Sequence, residues 1–184
     1  MIKLLKSNKI FDGRVIKVFC DELSDNGVNL YREVVRHGGG ACVLAEKNGS
    51  FAFVRQYRHP LGEFMLELPA GKREGKEPFE ITALRELEEE CALKAKKLKK
   101  ITVFAVSPGY DDELIGVFYA NEFEDSKQKL DDDEFLTVEW IKKEKAFEMA
   151  ENGEITDGKT LLALWWYKAN FKMREQPYPG KRKV

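Results

Sequence analysis

The chain has 184 residues, 43% hydrophobic and 34% charged, and its 31 Lys+Arg against 32 Asp+Glu leave a net charge of −1. This is the composition of a folded domain able to bury roughly 70% of its unfolded surface, and so even a charge balance argues against a protein that coats nucleic acid or an acidic membrane. No apolar run approaches a bilayer span and no signal-peptide core is present. The cysteines Cys20, Cys42 and Cys91 fit neither a disulfide scaffold nor a metal knuckle, so a cytoplasmic protein in a reducing compartment is expected.

In chain order, β-forming residues predict strands over 9–20 and 28–36, joined by Asp25-Asn26-Gly27, where Asn and Gly tolerate positive φ. Gly38-Gly39-Gly40 then divides an N-terminal β-hairpin segment, 1–37, from a main domain, 38–175. Strands are expected over 41–45 and 51–56 around the turn Lys47-Asn48-Gly49-Ser50, and over 64–68 before Pro69. A helix is expected over 77–93, with Pro78 in its first turn where a missing N–H costs little. Strands over 101–106, 114–120 and 135–141 and helices over 143–151 and 160–172 follow, then a frayed basic tail, 176–184. The pattern is α+β, a mixed sheet with interspersed helices, plus the N-terminal antiparallel β-hairpin region.

The helix over 77–93 is the informative element. Between residues 74 and 90 there are seven glutamates against two basic residues, Lys76 and Arg85. At about 100° per residue, Glu86, Glu89 and Glu90 share one wedge, beside the apolar face of Ala83, Leu84, Leu87 and Cys91. Like charges four residues apart destabilise a helix, and these lie far from its N-terminus, where the dipole favours them. Two readings suit such a wedge: a solvated acidic face, or oxygen ligands for a hard divalent cation such as Mg²⁺ or Mn²⁺.

The spacing around the wedge is Gly71, five residues, Glu77, seven residues, Arg85-Glu86-Leu87, one residue, Glu89-Glu90, one residue, Ala92-Leu93. It resembles the box of the Nudix hydrolase family, with Ala92 where the family has a helix-ending glycine. The resemblance implies an α/β/α sandwich-like fold with a mixed sheet. It also implies metal ligation by Glu86 and Glu90, with Glu89 and the backbone carbonyl of Ala70 in support, and an Arg85 that orients the carboxylates by pairing with Glu77.

The runs Val54-Arg55-Gln56-Tyr57-Arg58-His59-Pro60, Leu66-Glu67-Leu68-Pro69-Ala70-Gly71 and Ser107-Pro108-Gly109-Tyr110-Asp111-Asp112-Glu113 are similar to the ADP-ribose pyrophosphatase branch, as is Asp132-Asp133-Glu134-Phe135. In that role Arg58 offers a bidentate fork to a phosphate, with Arg55 as a second cation. Glu67 accepts from substrate or fixes an arginine. Glu134 activates the attacking water, with Asp132 and Glu113 as the alternatives. The branch also implies a homodimer in which the N-terminal segment covers the second copy's site, so that Tyr31, Arg32 and Glu33 become contacts for the adenine or terminal ribose. The expectation is Mg²⁺- or Mn²⁺-dependent hydrolysis of ADP-ribose to AMP and ribose 5-phosphate, with no nucleic acid or membrane partner. The alternatives are another nucleoside diphosphate sugar (a GDP- or UDP-sugar) as substrate, or a Nudix-fold sensor that binds a nucleotide without hydrolysing it.

Overall fold

The computed structural model describes residues 1–130 and 135–171. It opens with three antiparallel strands, β1 (Lys3–Asp12), β2 (Ile16–Asp25) and β3 (Val28–His37), paired in that order. The expected hairpin is therefore three-stranded, because the run 9–20 reverses at Gly13. A Cβ at Gly13 would lie 2.5 Å from the Phe11 ring, so glycine lets the chain turn tightly there. Between β2 and β3 the turn forms as expected, with Asn26 at φ 50° and Gly27 at φ 84°.

β4 (Gly40–Lys47) and β5 (Ser50–Arg58) form a hairpin closed by Asn48 and Gly49, both at positive φ. They pair at the turn, Glu46 with Phe51 and Lys47 with Ser50, and then take different neighbours. β6 (Glu63–Glu67) pairs with β5, and β7 (Ala70–Lys72) pairs with β4. With β9 (Lys99–Ala105), β10 (Leu114–Ala120) and β12 (Leu136–Lys142) the main sheet runs β12-β5-β4-β10-β9, and β4 is parallel to β10. β8 (Leu93–Ala95) and β11 (Phe123–Asp125) form a separate short ladder.

Among the described residues three helices cover this sheet: α1 (Phe79–Cys91), α2 (Lys143–Glu151) and α3 (Gly158–Asn170). Side-chain alternation along β4 sends Ala41, Val43 and Ala45 to one core with Ala83 and Leu87 of α1. Cys42 and Leu44 join the other core with Phe147 of α2 and Leu164 and Tyr167 of α3. The result is the expected α+β sandwich of helices on a mixed sheet. No helix among the described residues is long and apolar enough to cross a membrane.

Helix boundaries shift for local reasons. α1 starts two residues later than expected because Pro78, at ψ 143°, is its N-cap and not its first turn. It ends at Ala92 in the left-handed region, φ 56° and ψ 32°, the turn for which a glycine is the usual residue. α3 starts at Gly158 because the Asp157 carboxylate accepts the Thr160 N–H at 3.1 Å.

Candidate active site

The acidic turn of α1 faces β7, where the main chain comes close. Ala70 donates its N–H to Glu90 Oε2 at 2.8 Å, and a Cβ at Gly71 would stand 2.0 Å from the Glu86 carboxylate. Only glycine leaves space for that carboxylate. Glu86 and Glu90 are both buried, the latter 1% exposed. Burying carboxylates at neighbouring positions is costly unless cations or donors face them.

The Ala70 N–H faces Glu90, and Arg85 provides that compensation for Glu86. Its Nη1 donates to Glu86 Oε1 at 2.8 Å and to Glu89 Oε2 at 2.9 Å, while Nη2 donates to Glu77 Oε1 at 3.2 Å and to the Lys72 carbonyl at 2.9 Å. The guanidinium thus pairs with Glu77, as expected, and also with two of the three wedge carboxylates. Glu77 Oε1 further accepts the Glu74 N–H and the Thr82 hydroxyl, and these bonds hold its carboxyl below the usual range. Arg73 closes the corner, donating from Nε to the Glu77 carbonyl at 2.8 Å and lying 4.4 Å over the Phe79 ring.

Gly71, Arg73, Arg85, Glu86 and Glu89 line a cavity of about 1170 Å³ together with Arg58, Glu67 and Glu113. Arg58 grips Glu67 bidentately, Nε to Oε1 at 2.5 Å and Nη2 to Oε2 at 2.8 Å. Of the two roles open to Glu67, fixing an arginine is the one the geometry displays. Burial pushes the Glu67 carboxyl up, but Arg58 and Lys159 outweigh it and hold the group at about 2. Glu113 places Oε1 3.2 Å from His37 Nδ1, and burial raises its pKa.

Other expected site residues stand elsewhere. Arg55 is three residues from Arg58 along β5, so its side chain leaves the opposite face of the sheet. There it binds Glu139 of β12, Nε to Oε1 at 2.5 Å, and it does not line the cavity. Arg32 and Glu33 line a separate hollow of about 440 Å³ with Tyr31 and Tyr110, away from the carboxylates of their own chain. Glu134 and Asp132 lie outside the described residues. Lys159 and Asp157 line the main cavity without having been expected there. The available signal was Asp157-Gly158-Lys159-Thr160, an N-cap followed by a cation at the positive end of a helix.

The donors suit a hard divalent ion: carboxylate oxygens from one helix turn, a backbone strand beside them, and a glycine that leaves the approach open. Among the described residues no three such side chains are drawn close enough to hold an ion together, since Arg85 lies between Glu86 and Glu89. An ion held by Glu86 and Glu89 would have to share them with Arg85.

Comparison with known proteins agrees with this geometry. The model of the NUDIX domain matches residues 35–164. An ADP-ribose pyrophosphatase of Bacillus subtilis (strain 168) is 40% identical over 178 residues, covering 95% of this chain and 96% of that protein. A methanol dehydrogenase activator of Bacillus methanolicus is 37% identical over 166 residues, covering 88% and 90%. A solved structure described as an ADP compounds hydrolase superimposes with a TM-score of 0.80 at 17% identity, covering 91% and 92% of the two chains, which establishes the shared fold. The chain belongs to the NUDIX domain family and is a Nudix pyrophosphohydrolase.

Proposed function

We propose that the chain hydrolyses the diphosphate bond of ADP-ribose, giving AMP and ribose 5-phosphate. The observation that carries this reading is the cavity lined by Glu86 and Glu89 of α1 together with Arg58. The full-length likeness to an ADP-ribose pyrophosphatase supports the choice of substrate.

In this reading Glu86, Glu90 and Glu89, with the Ala70 carbonyl, hold Mg²⁺ or Mn²⁺. When bound, the metal neutralises phosphate charge and makes a bound water more acidic. Arg85, itself held by Glu77, orients the Glu86 and Glu89 carboxylates. Arg58 grips the diphosphate through the edge that Glu67 leaves open. Glu113 contributes a further polar contact to substrate. Glu134 takes the proton of the attacking water. Water adds to one phosphorus, the bridging P–O bond breaks, and the leaving phosphate keeps the electron pair, so both products carry a phosphate monoester.

The test is product identification from a panel of nucleoside diphosphate sugars, with Mg²⁺ and with a chelator. The expected result is AMP and ribose 5-phosphate from ADP-ribose, lost on chelation. Preferred turnover of a GDP- or UDP-sugar moves the substrate assignment, and binding without turnover replaces hydrolysis with sensing.

The same reading includes a cytoplasmic homodimer, in keeping with three free cysteines and with the apolar groups the N-terminal sheet exposes, among them Leu5, Ile10, Phe11, Val28 and Tyr31. Residues 1–37 then form the dimerisation segment of a Nudix domain spanning 38–175, and Arg32 and Glu33 serve the second copy's cavity. Removal of residues 1–36 is expected to give a monomer of low activity. A full-length monomer at micromolar concentration by light scattering overturns the assembly.

A further inference from the structure

The cavity floor holds a buried cation to which the proposed reaction gives no role. Lys159 is 9% exposed and occupies the second position of α3. A helix dipole disfavours positive charge at that end, so the lysine does not serve the helix. Its Nζ donates to Glu67 Oε2 and, at 3.0 Å, to Asp157 Oδ1. The same turn also holds the neighbouring backbone. Leu68 donates its N–H to Thr160 Oγ1 at 2.9 Å, and that hydroxyl donates to Asp157 Oδ2 at 2.5 Å. The first turn of α3 therefore grips residue 67 by its side chain and residue 68 by its backbone, just ahead of Ala70 and Gly71.

Glu67 is only 2% exposed and receives two cations. The Arg58 fork takes both its oxygens, and Lys159 adds a third donor on Oε2. A fork alone fixes the two planar groups relative to each other, whereas the third contact fixes the pair relative to α3. With Nε and Nη2 committed, Arg58 has its Nη1 edge left, which makes no hydrogen bond among the described residues, and its side chain stays 39% exposed in the cavity. Asp157 balances the added charge, so two cations and two anions meet with no net charge.

Resting on the diphosphate reading, we propose that Lys159 is a positioning residue for substrate binding: it pins Glu67, which aims the open edge of Arg58 into the cavity. Lys159 acts on the substrate through Arg58 and does not itself touch it.

A double-mutant cycle with two readouts tests this. The first readout is kcat and KM for ADP-ribose with Mg²⁺. The second is the Kd of ADP by calorimetry in the presence of a chelator. Lys159→Met is expected to raise both KM and Kd by about tenfold while kcat falls by less than about threefold, and Lys159→Arg to restore most of the loss. In an Arg58→Ala background, Lys159→Met is expected to change either constant by no more than about twofold. A kcat loss at unchanged KM and Kd makes Lys159 a support of the fold alone, and effects that multiply with Arg58→Ala make it a direct ligand; either overturns the proposal. If Lys159→Met does not fold, Lys159→Gln enters the same cycle. If ADP-ribose is not hydrolysed but the ADP cycle shows coupling, the functional reading fails and the positioning role stands. If ADP-ribose is hydrolysed and the coupling is absent, the positioning role fails by itself.

Discussion

Glu86→Gln and Glu90→Gln are each expected to lower kcat by about 10²–10⁴-fold, the several kcal/mol that metal-assisted charge stabilisation contributes. The amide keeps the shape and one acceptor oxygen, so Arg85 Nη1 retains a partner at position 86 and the Ala70 N–H retains one at position 90. The fold should persist, with Tm lowered by only a few degrees, roughly the cost of about 1 kcal/mol in a domain of this size. The dependence on Mg²⁺ concentration should move to higher values, because each change removes one of the negative charges proposed to hold the ion. Gly71→Ala should reproduce the Glu86 phenotype without touching a carboxylate. Its Cβ would stand 2.0 Å from the Glu86 side chain, and that side chain must leave its place. Near-normal turnover of Glu86→Gln or Glu90→Gln in saturating Mg²⁺ would show the ligand assignment to be wrong.

The box was legible because its logic is local. The fixed spacings within one strand-turn-helix unit set which side chains meet, and Arg85 does bridge Glu77, Glu86 and Glu89. The strand over 41–45 was legible as an apolar run, and the structure shows that its alternate side chains enter two separate cores. What stayed hidden depends on long-range pairing or on irregular strands. β1 lacks a clean polar–apolar alternation because its register slips between Leu4 and Lys6 and again between Lys9 and Phe11. β7, β8 and β11 have three residues each, too few for any periodicity. Arg55 is different: an odd separation from Arg58 on one strand already sends the two guanidiniums to opposite faces. The bond from Lys159 to Glu67 crosses 92 residues of chain, and no local pattern announces it.

Glu134→Gln is expected to lower kcat by about 10²–10⁴-fold, the usual contribution of a positioned general base, with KM little changed because the diphosphate is held elsewhere. Glu134 lies outside the described residues, but the chain on either side of it is anchored at the cavity. Before it, Gln128 Nε2 donates to the Glu90 carbonyl at 2.7 Å and the Lys129 N–H donates to the Glu89 carbonyl at 2.9 Å. The chain therefore leaves from the helix turn that carries the wedge. After it, Leu136 pairs with Gln56, whose side chain lines the cavity. Glu113 is the competitor: it lies on the cavity wall and burial raises its pKa, the direction that suits a base working near neutrality. Its Oε1, however, lies 3.2 Å from His37 Nδ1, which accepts the Gly39 N–H at 3.1 Å, so the imidazole crowds the oxygen that a water would approach. The two are separated by comparing Glu134→Gln with Glu113→Gln at saturating substrate. Loss confined to Glu134→Gln keeps the assignment. Collapse of Glu113→Gln, with Glu134→Gln within about threefold of the parent, transfers the proton to the Glu113–His37 pair and shifts the acidic limb of the kcat profile toward neutral pH.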